Sequence, residues 1–324
     1  MDPIEPLTST HCSSEQKRST HATQFTQQPH ISVCICTYKR ASYLLYLLTK
    51  LSEQDAGGLF TYSIVIVDND CLRSAEPVVA AFAEASPLDV RYLVEPRQSI
   101  SLARNMALTH GRGDFIAFID DDEFPPRMWL KKLFTECTER HVDGVLGPVK
   151  PRYEVPPPRW VVAGGFYDRQ SYPTGFVIDG RKGRTGNVLF RRAILYGESE
   201  PFRKEFRTGE DQDFFRRMIS RGYVFTWCNE AVTYEWVPPI RWRRNFLLKR
   251  ALLRGAMSAV QPAISTRDVL KSIAAVVIYV AILPFCLLIS HVRFMRYLIS
   301  LCDHLGALLA LLGFSPISEQ YITE

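Results

Sequence analysis

The sequence predicts an α/β protein built on a doubly wound sheet and followed by an apolar helical tail. Three observations predict it. Short apolar, β-branched runs end abruptly in polar residues; they alternate with amphipathic stretches between residues 31 and 149; and a charge-free segment, 272–290, follows a basic one. The alternation is the βαβα rhythm of an open sheet. The 324 residues exceed one ordinary core and fit one large α/β unit with extensions, or two units.

The first run, Ile31 to Cys36, is a strand, and Thr37-Tyr38-Lys39-Arg40 leads from it into a helix over 41–54. Gly57-Gly58 ends that unit. The second strand, Ser63 to Val67, stops at Asp68-Asn69-Asp70. Runs without polar alternation suit strands covered on both faces. A third strand, Val90 to Val94, precedes a helix from Ser99 to His110 that Gly111 stops. The fourth strand, Phe115 to Ile119, ends in Asp120-Asp121-Asp122, and Pro125-Pro126 is expected to open the next helix. Composition changes after Val149: 150–159 holds four prolines and 164–186 is rich in Gly and Arg, so loops facing a substrate are expected. Order resumes with a strand at Asn187–Phe190 and a helix from Glu210 towards Gly222.

The chain is 47% hydrophobic and 23% charged, with a net charge of +5. Arg241, Arg243, Arg244, Lys249, Arg250 and Arg254 crowd just before the apolar C-terminus. Such a cluster reads as a membrane-surface patch and argues against a nucleic-acid partner. The eight cysteines form no CxxC pair and read as small hydrophobes in a reducing compartment. Residues 1–29 are polar, lack the apolar core of a signal peptide and are expected to be a disordered leader. At 1.5 Å per residue, 272–290 approaches the roughly 30 Å of a bilayer core. Pro284 would kink it, and Asp303 and His304 interrupt a second apolar stretch, 297–314. A membrane hairpin, a pair of interfacial helices and a buried helical subdomain are the readings. The division expected is 1–29 leader, 30–255 α/β domain and 256–324 membrane-associated tail.

Ligands in an open sheet bind beyond the carboxyl ends of the strands. Thr37, Asp68 and Asp120 to Asp122 stand at such ends and should converge on one crevice. Adjacent carboxylates repel and raise each other's pKa unless a cation offsets them. A divalent ion with oxygen ligands, Mg²⁺ or Mn²⁺, is the natural partner; an acidic turn is the plainer reading.

These residues also carry a resemblance. The segments CTYKR (36–40), IVDND (66–70), ARN (103–105), FIDDD (118–122) and GEDQD (209–213) resemble family 2 glycosyltransferases, in the usual order, over residues 30–255. The bacterial exopolysaccharide branch, notably the succinoglycan-type glucosyltransferases, is the most similar. The resemblance implies a GT-A fold and a nucleotide-diphosphate-sugar donor, with a UDP-sugar expected. It implies Thr37 and Arg40 near the nucleotide, Asp68 on the base or ribose, and Arg104 near the base or diphosphate. It places Asp120 at the ribose or sugar and within reach of the metal, Asp122 on the metal, and Asp121 in either role. The ion would stabilise charge on the leaving diphosphate. Inverting transfer also needs one carboxylate to take the acceptor proton. Asp211 is that candidate, with Asp213 and simple capping as alternatives.

Two departures stand out. Related enzymes often carry Gly before ARN, where this chain reads Arg97-Gln98-Ser99-Ile100-Ser101. Many carry a metal-binding His where it reads Tyr234-Glu235-Trp236, so Glu235 is a substitute ligand or none exists. Trp160, Trp236 and Trp242 could stack a sugar or fill a core. The Arg-rich segment could grip a donor diphosphate, an acceptor pyrophosphate or anionic lipid. The apolar tail points to a lipid-linked saccharide acceptor at a membrane surface, on the cytoplasmic face of a bacterial inner membrane. A nucleotidyltransferase would commonly show a Gly-rich phosphate loop, and none follows Cys36. A non-catalytic membrane scaffold would not need both acidic motifs.

Overall fold

Four parallel and two antiparallel pairings build the main sheet from the apolar runs. Strand β1 (His30–Thr37) pairs in parallel with β2 (Thr61–Asp68) on one side and β4 (Phe115–Ile119) on the other; β3 (Val90–Val94) extends the sheet beyond β2. This is a computed structural model, describing residues 28–180, 182–206, 208–260 and 265–314. The leader expected at 1–29 lies, for residues 1–27, outside the described residues. Alternate β1 side chains serve two cores. Ile31, Val33 and Ile35 meet Leu44, Leu47, Leu48 and Leu51 of α1 (Ala41–Ser52), whose 3- and 4-residue spacing puts them on one stripe. Cys34 faces Ala103 and Ala107 of α3 (Ile100–His110). The Ser99 hydroxyl accepts the Leu102 N–H and caps α3. Helix α2 (Glu76–Ala85) lies between β2 and β3 in sequence.

The second half departs from the simple rhythm. Pro125-Pro126 does not open a helix. Glu123–Phe124 is a short strand, β5, and α4 begins at Trp129 and ends at Glu139. The prolines form the turn between them, and the Pro126 carbonyl accepts from both the Trp129 N–H and the Gln54 amide, each at 3.0 Å. Then come β6 (Gly144–Leu146), β7 (Val149–Tyr153), α5 (Arg159–Gly164), β8 (Asn187–Arg191), α6 (Glu210–Ser220), β9 (Phe225–Trp227) and β10 (Thr233–Val237). Strand β8 runs antiparallel to β4 and β6, giving a mixed sheet ordered β3-β2-β1-β4-β8-β6-β9. A second sheet, β5-β10-β7, puts Val149–Tyr153 in a strand where loop was expected, while 154–158 carries no strand. Pro151 is tolerated because β7 is an edge strand.

The tail is layered. Helix α9 (His291–Leu311) packs against α7 (Arg244–Val260) on one side and α8 (Thr266–Ile289) on the other. Helices α7 and α9 run parallel, tied by Arg244 to His291 at 2.9 Å and Arg254 to Asp303 at 2.9 Å. They touch backbone to backbone: a Cβ on Gly255 would fall 1.8 Å from the Asp303 carbonyl, and one on Gly306 2.2 Å from that of Leu252. Helix α8 runs antiparallel, with Ser272 bonded to His304 and Tyr279 against Tyr297. Both α8 and α9 are long and apolar enough to cross a membrane, with mean hydropathies of 2.7 and 1.4. The outer face of α8 is bare: Leu288 is 86% exposed and Phe285 67%.

Candidate active site

The crevice opens where β1 and β4 part, beyond their carboxyl ends, where the strand order reverses. It has two lobes. The first, about 500 Å³, is lined by Thr37, Arg40, Asn69, Asp121 and Asp122 among others. The second, about 320 Å³, adds Arg184, Gln212, Met257 and Ser258. Arg104, Asp120, Arg169, Asp211 and Arg254 border both.

The acidic run divides its labour. Asp121 is buried; it accepts from the Thr37 hydroxyl at 2.8 Å and from Arg40 at 3.0 Å. Asp122 is also buried; its Oδ2 takes Arg40 at 3.0 Å and Arg241 at 2.5 Å. Burial and the neighbouring Asp122 push the Asp121 carboxyl up to about 6 against the pull of Arg40. Burial would raise Asp122 too, but Arg40 and Arg241 prevail and hold it below the usual range. Guanidinium groups therefore offset much of the repulsion that the sequence assigned wholly to a metal. Asp120 differs: 44% of its side chain is exposed, and its one ion pair is a long contact to Arg104 at 3.7 Å.

The Glu210-Asp211-Gln212-Asp213 segment separates equally clearly. Gly209, at φ 83°, turns the chain into α6 through a left-handed conformation natural to glycine. Glu210 points inward and pairs with Arg104, which also lies over the Phe202 ring. Burial pushes the Glu210 carboxyl up to about 7, against the opposing pull of Arg104. Asp213 faces away from the crevice, fully buried and held by Arg216 at 2.8 Å and Arg217 at 2.9 Å. Asp211 lines both lobes and accepts only the Gln212 N–H, at 2.7 Å. Among the described carboxylates lining the crevice, it alone has no ion pair.

Asp68 does not reach the crevice. Its carboxylate is buried and accepts the Asp70 N–H at 3.0 Å, the Ala75 N–H at 2.8 Å and the Tyr92 hydroxyl at 2.8 Å. It locks the turn after β2, and its neighbour Asn69 lines the first lobe instead. The tryptophans are packing residues: Trp242 sits in a core with Val161 and Val237, Trp236 against Phe124, and Trp160 against Phe166.

Sequence reasoning missed the cations behind the carboxylates. Arg241 bridges Asp122 and Glu235, the latter at 2.9 Å; Arg169 pairs with Glu235 and stands 3.9 Å from Glu123. Glu235 is thus occupied by two arginines. The buried Glu123 Oε1 has no hydrogen-bond partner and, with Asp120 Oδ2, overhangs Gly186, where a Cβ would lie 2.6 and 3.0 Å from them. No described group of three or more His, Cys, Asp or Glu is arranged to hold a metal by itself. Asp120 and Asp122 carry the carboxylate oxygens that could hold a hard divalent ion here.

Residues 32–198 match the family described as Glycosyl transferase family 2. The chain is 34% identical over 228 residues to the succinoglycan biosynthesis protein ExoM of Rhizobium meliloti (strain 1021), covering 70% of this chain and 73% of that one. Among solved structures, S. aureus TarS 1–349 in complex with UDP-GlcNAc matches with a TM-score of 0.51 and 18% identity, over 74% of this chain and 69% of that one. The mannosyltransferase PcManGT from Pyrobaculum calidifontis, in complex with GDP-Man and Mn²⁺, matches with a TM-score of 0.59 and 18% identity, over 89% and 88%.

Proposed function

Because this chain belongs to glycosyl transferase family 2, we propose that it is an inverting, metal-dependent glycosyltransferase that moves a sugar from a UDP-sugar to a lipid-linked saccharide during polysaccharide assembly. The observation that carries the inverting reading is Asp211. It is the crevice carboxylate left unpaired, and it borders both lobes. In the first lobe, Thr37, Arg40, Asn69 and Arg104 would receive the nucleotide and diphosphate. The sugar would lie by Asp120, with its anomeric carbon towards Asp211. An acceptor hydroxyl entering from the second lobe would give its proton to Asp211 as it attacks that carbon opposite the leaving UDP.

Asp122, with Asp120, would hold Mg²⁺ or Mn²⁺; the ion supplies Lewis-acid stabilisation of the departing diphosphate. The UDP-GlcNAc and GDP-Man complexes of the structural relatives support a nucleotide-sugar donor, and the Mn²⁺ in one supports the metal. The relation to a succinoglycan biosynthesis protein supports a polysaccharide acceptor. The bare face of α8 supports membrane-surface association, which we place on the cytoplasmic side of a bacterial inner membrane. The test is a panel of nucleotide sugars screened for binding and transfer with and without Mn²⁺, in the wild type and in Asp211→Asn. We expect UDP-sugar binding to survive the substitution while turnover falls by about 100- to 10,000-fold, the range of general-base catalysis. No donor binding at all would refute the transferase reading; full turnover in Asp211→Asn would refute the base.

A further inference from the structure

Two cations on the crevice wall make no direct ion pair with a described carboxylate. Arg40, Arg104, Arg169, Arg241 and Arg254 are each ion-paired. Arg184, in the loop before β8, and Arg250, on α7, have no ion pair or hydrogen bond to another described residue. Both side chains remain open to the crevice although protein surrounds them. Burial, then the like charges of Arg169 and Arg250, lower the pKa of Arg184 against the attraction of Asp211. Burial lowers that of Arg250 against the pull of Glu235, with the like charges of Arg241 and Arg169 adding to the lowering. Arginine does not lose its proton in proteins. Asp211 and Glu235 attract these arginines without touching them, which leaves both forks to meet an anion, and a guanidinium fork matches phosphate oxygens two at a time.

Position says which anion. Arg184 lines the second lobe, which contains neither Thr37, Arg40 nor Asn69. That lobe meets the first at Asp120 and Asp211, and Met257 and Ser258 of α7 wall its far side. Arg250 stands on the same helix, two turns earlier, at the first lobe's edge. A group held between these arginines lies across Asp211 from the nucleotide residues, beside the helix fastened to the apolar tail. We propose that Arg184 and Arg250 form an anion subsite for a phosphate or diphosphate carried by the acceptor. The proposal rests on the transferase reading and adds the chemical class that the acceptor must present.

The test uses the full chain with MgCl₂. UDP is titrated first by calorimetry, and inorganic pyrophosphate is then titrated into the UDP-saturated protein. We expect pyrophosphate to bind beside UDP. Arg184→Gln and Arg250→Gln should each weaken it by on the order of 10-fold or more, the loss of a charge-assisted hydrogen bond, while UDP affinity changes less than about 2-fold. Arg184→Lys should recover part of the loss by keeping the charge. If the two Gln variants weaken UDP instead, the cations serve the donor and the proposal falls. If UDP binds and pyrophosphate does not bind beside it, the subsite falls while the transferase reading stands. If UDP itself does not bind, both fall.

Discussion

Arg241 is the place to test how the acidic run is held, because it ties Asp122, just before β5, to Glu235 of β10. Replacing it by Gln removes a buried guanidinium from two buried carboxylates. Breaking a buried ion pair from one side costs about 3–5 kcal/mol when the remaining charge is left alone. Here neither carboxylate is left alone: Asp122 keeps Arg40, and Glu235 keeps Arg169. The loss should therefore be about half, roughly 2 kcal/mol, or about 3 °C in Tm for a chain of this size. The same substitution frees Asp122 Oδ2 from its shorter contact, so a divalent ion no longer competes with Arg241 for it. Thermal unfolding in EDTA and across a Mn²⁺ titration reads both effects. Arg241→Gln should melt lower in EDTA, and its apparent Mn²⁺ affinity should rise by about 10-fold, a modest share of the Coulomb energy released at close range. An unchanged Tm in EDTA would refute the pairing. A Mn²⁺ affinity equal to or weaker than wild type would refute the assignment of Asp122 to the metal.

Asp213→Asn should lower Tm by several degrees through loss of its buried pairs to Arg216 and Arg217, yet leave kcat within about 3-fold once folded; a kcat loss matching that of Asp211→Asn would move the base to Asp213. The kcat/KM profile should show an acid limb near pH 6, where Asp121 takes its proton; a profile flat from pH 5 to 7 would refute it. The stability signs are opposite for the two neighbours. The raised Asp121 favours the fold most below its unfolded pKa of 3.8 and loses that contribution as pH rises through about 6. The lowered Asp122 contributes above 3.8 and loses it as pH falls through its folded value. In sealed vesicles, single cysteines at Ser265 and at Ser290, the two ends of α8, should both react with an impermeant thiol reagent from the side of the catalytic domain; protection of Ser290→Cys from that side alone would show that α8 crosses the bilayer.

The first half of the fold was legible because local pattern and tertiary role agree there. Strands β1, β2 and β4 are buried on both faces and read as unbroken apolar runs; α1 carries its four leucines on one stripe. Strands β5, β7 and β10 were not legible, because a two-residue strand and one containing Pro151 exist only through pairing with β10, some 80 to 110 residues later in the chain. The strand-end rule found Thr37 and the acidic run and failed at Asp68, whose carboxylate bends back onto its own turn. Arg241 looked like one member of a surface patch. What buries it is Asp122, 119 residues away, and no local signal records that. Conversely, helix geometry alone separates Asp211 from Asp213: two residues apart at the start of α6, they face opposite sides.

The layering of the tail decides what kind of membrane protein this chain can be on the proposed reading. A spanning α9 would have to leave its polar groups in hydrocarbon, or carry their partners in with it. Those partners are fixed to the catalytic domain: Arg296 donates to the Gly164 carbonyl of α5 at 3.1 Å, Asp303 pairs with Arg254 on the crevice wall, and Gly306 lies on the backbone of α7. Each unsatisfied group in a bilayer core costs several kcal/mol. Helix α9 therefore belongs to the protein, and the outer face of α8 is what remains for lipid. The order from crevice to bilayer is then α7, α9, α8. Two interhelical spacings, about 16–20 Å, separate the crevice wall from the helix that would rest on lipid, so an acceptor anchored in the bilayer must reach along this stack to the second lobe. That distance exceeds a single sugar ring, so an acceptor whose diphosphate sits at Arg184 and Arg250 bridges it with its lipid arm, and the sugars beyond the diphosphate carry the reacting hydroxyl to Asp211.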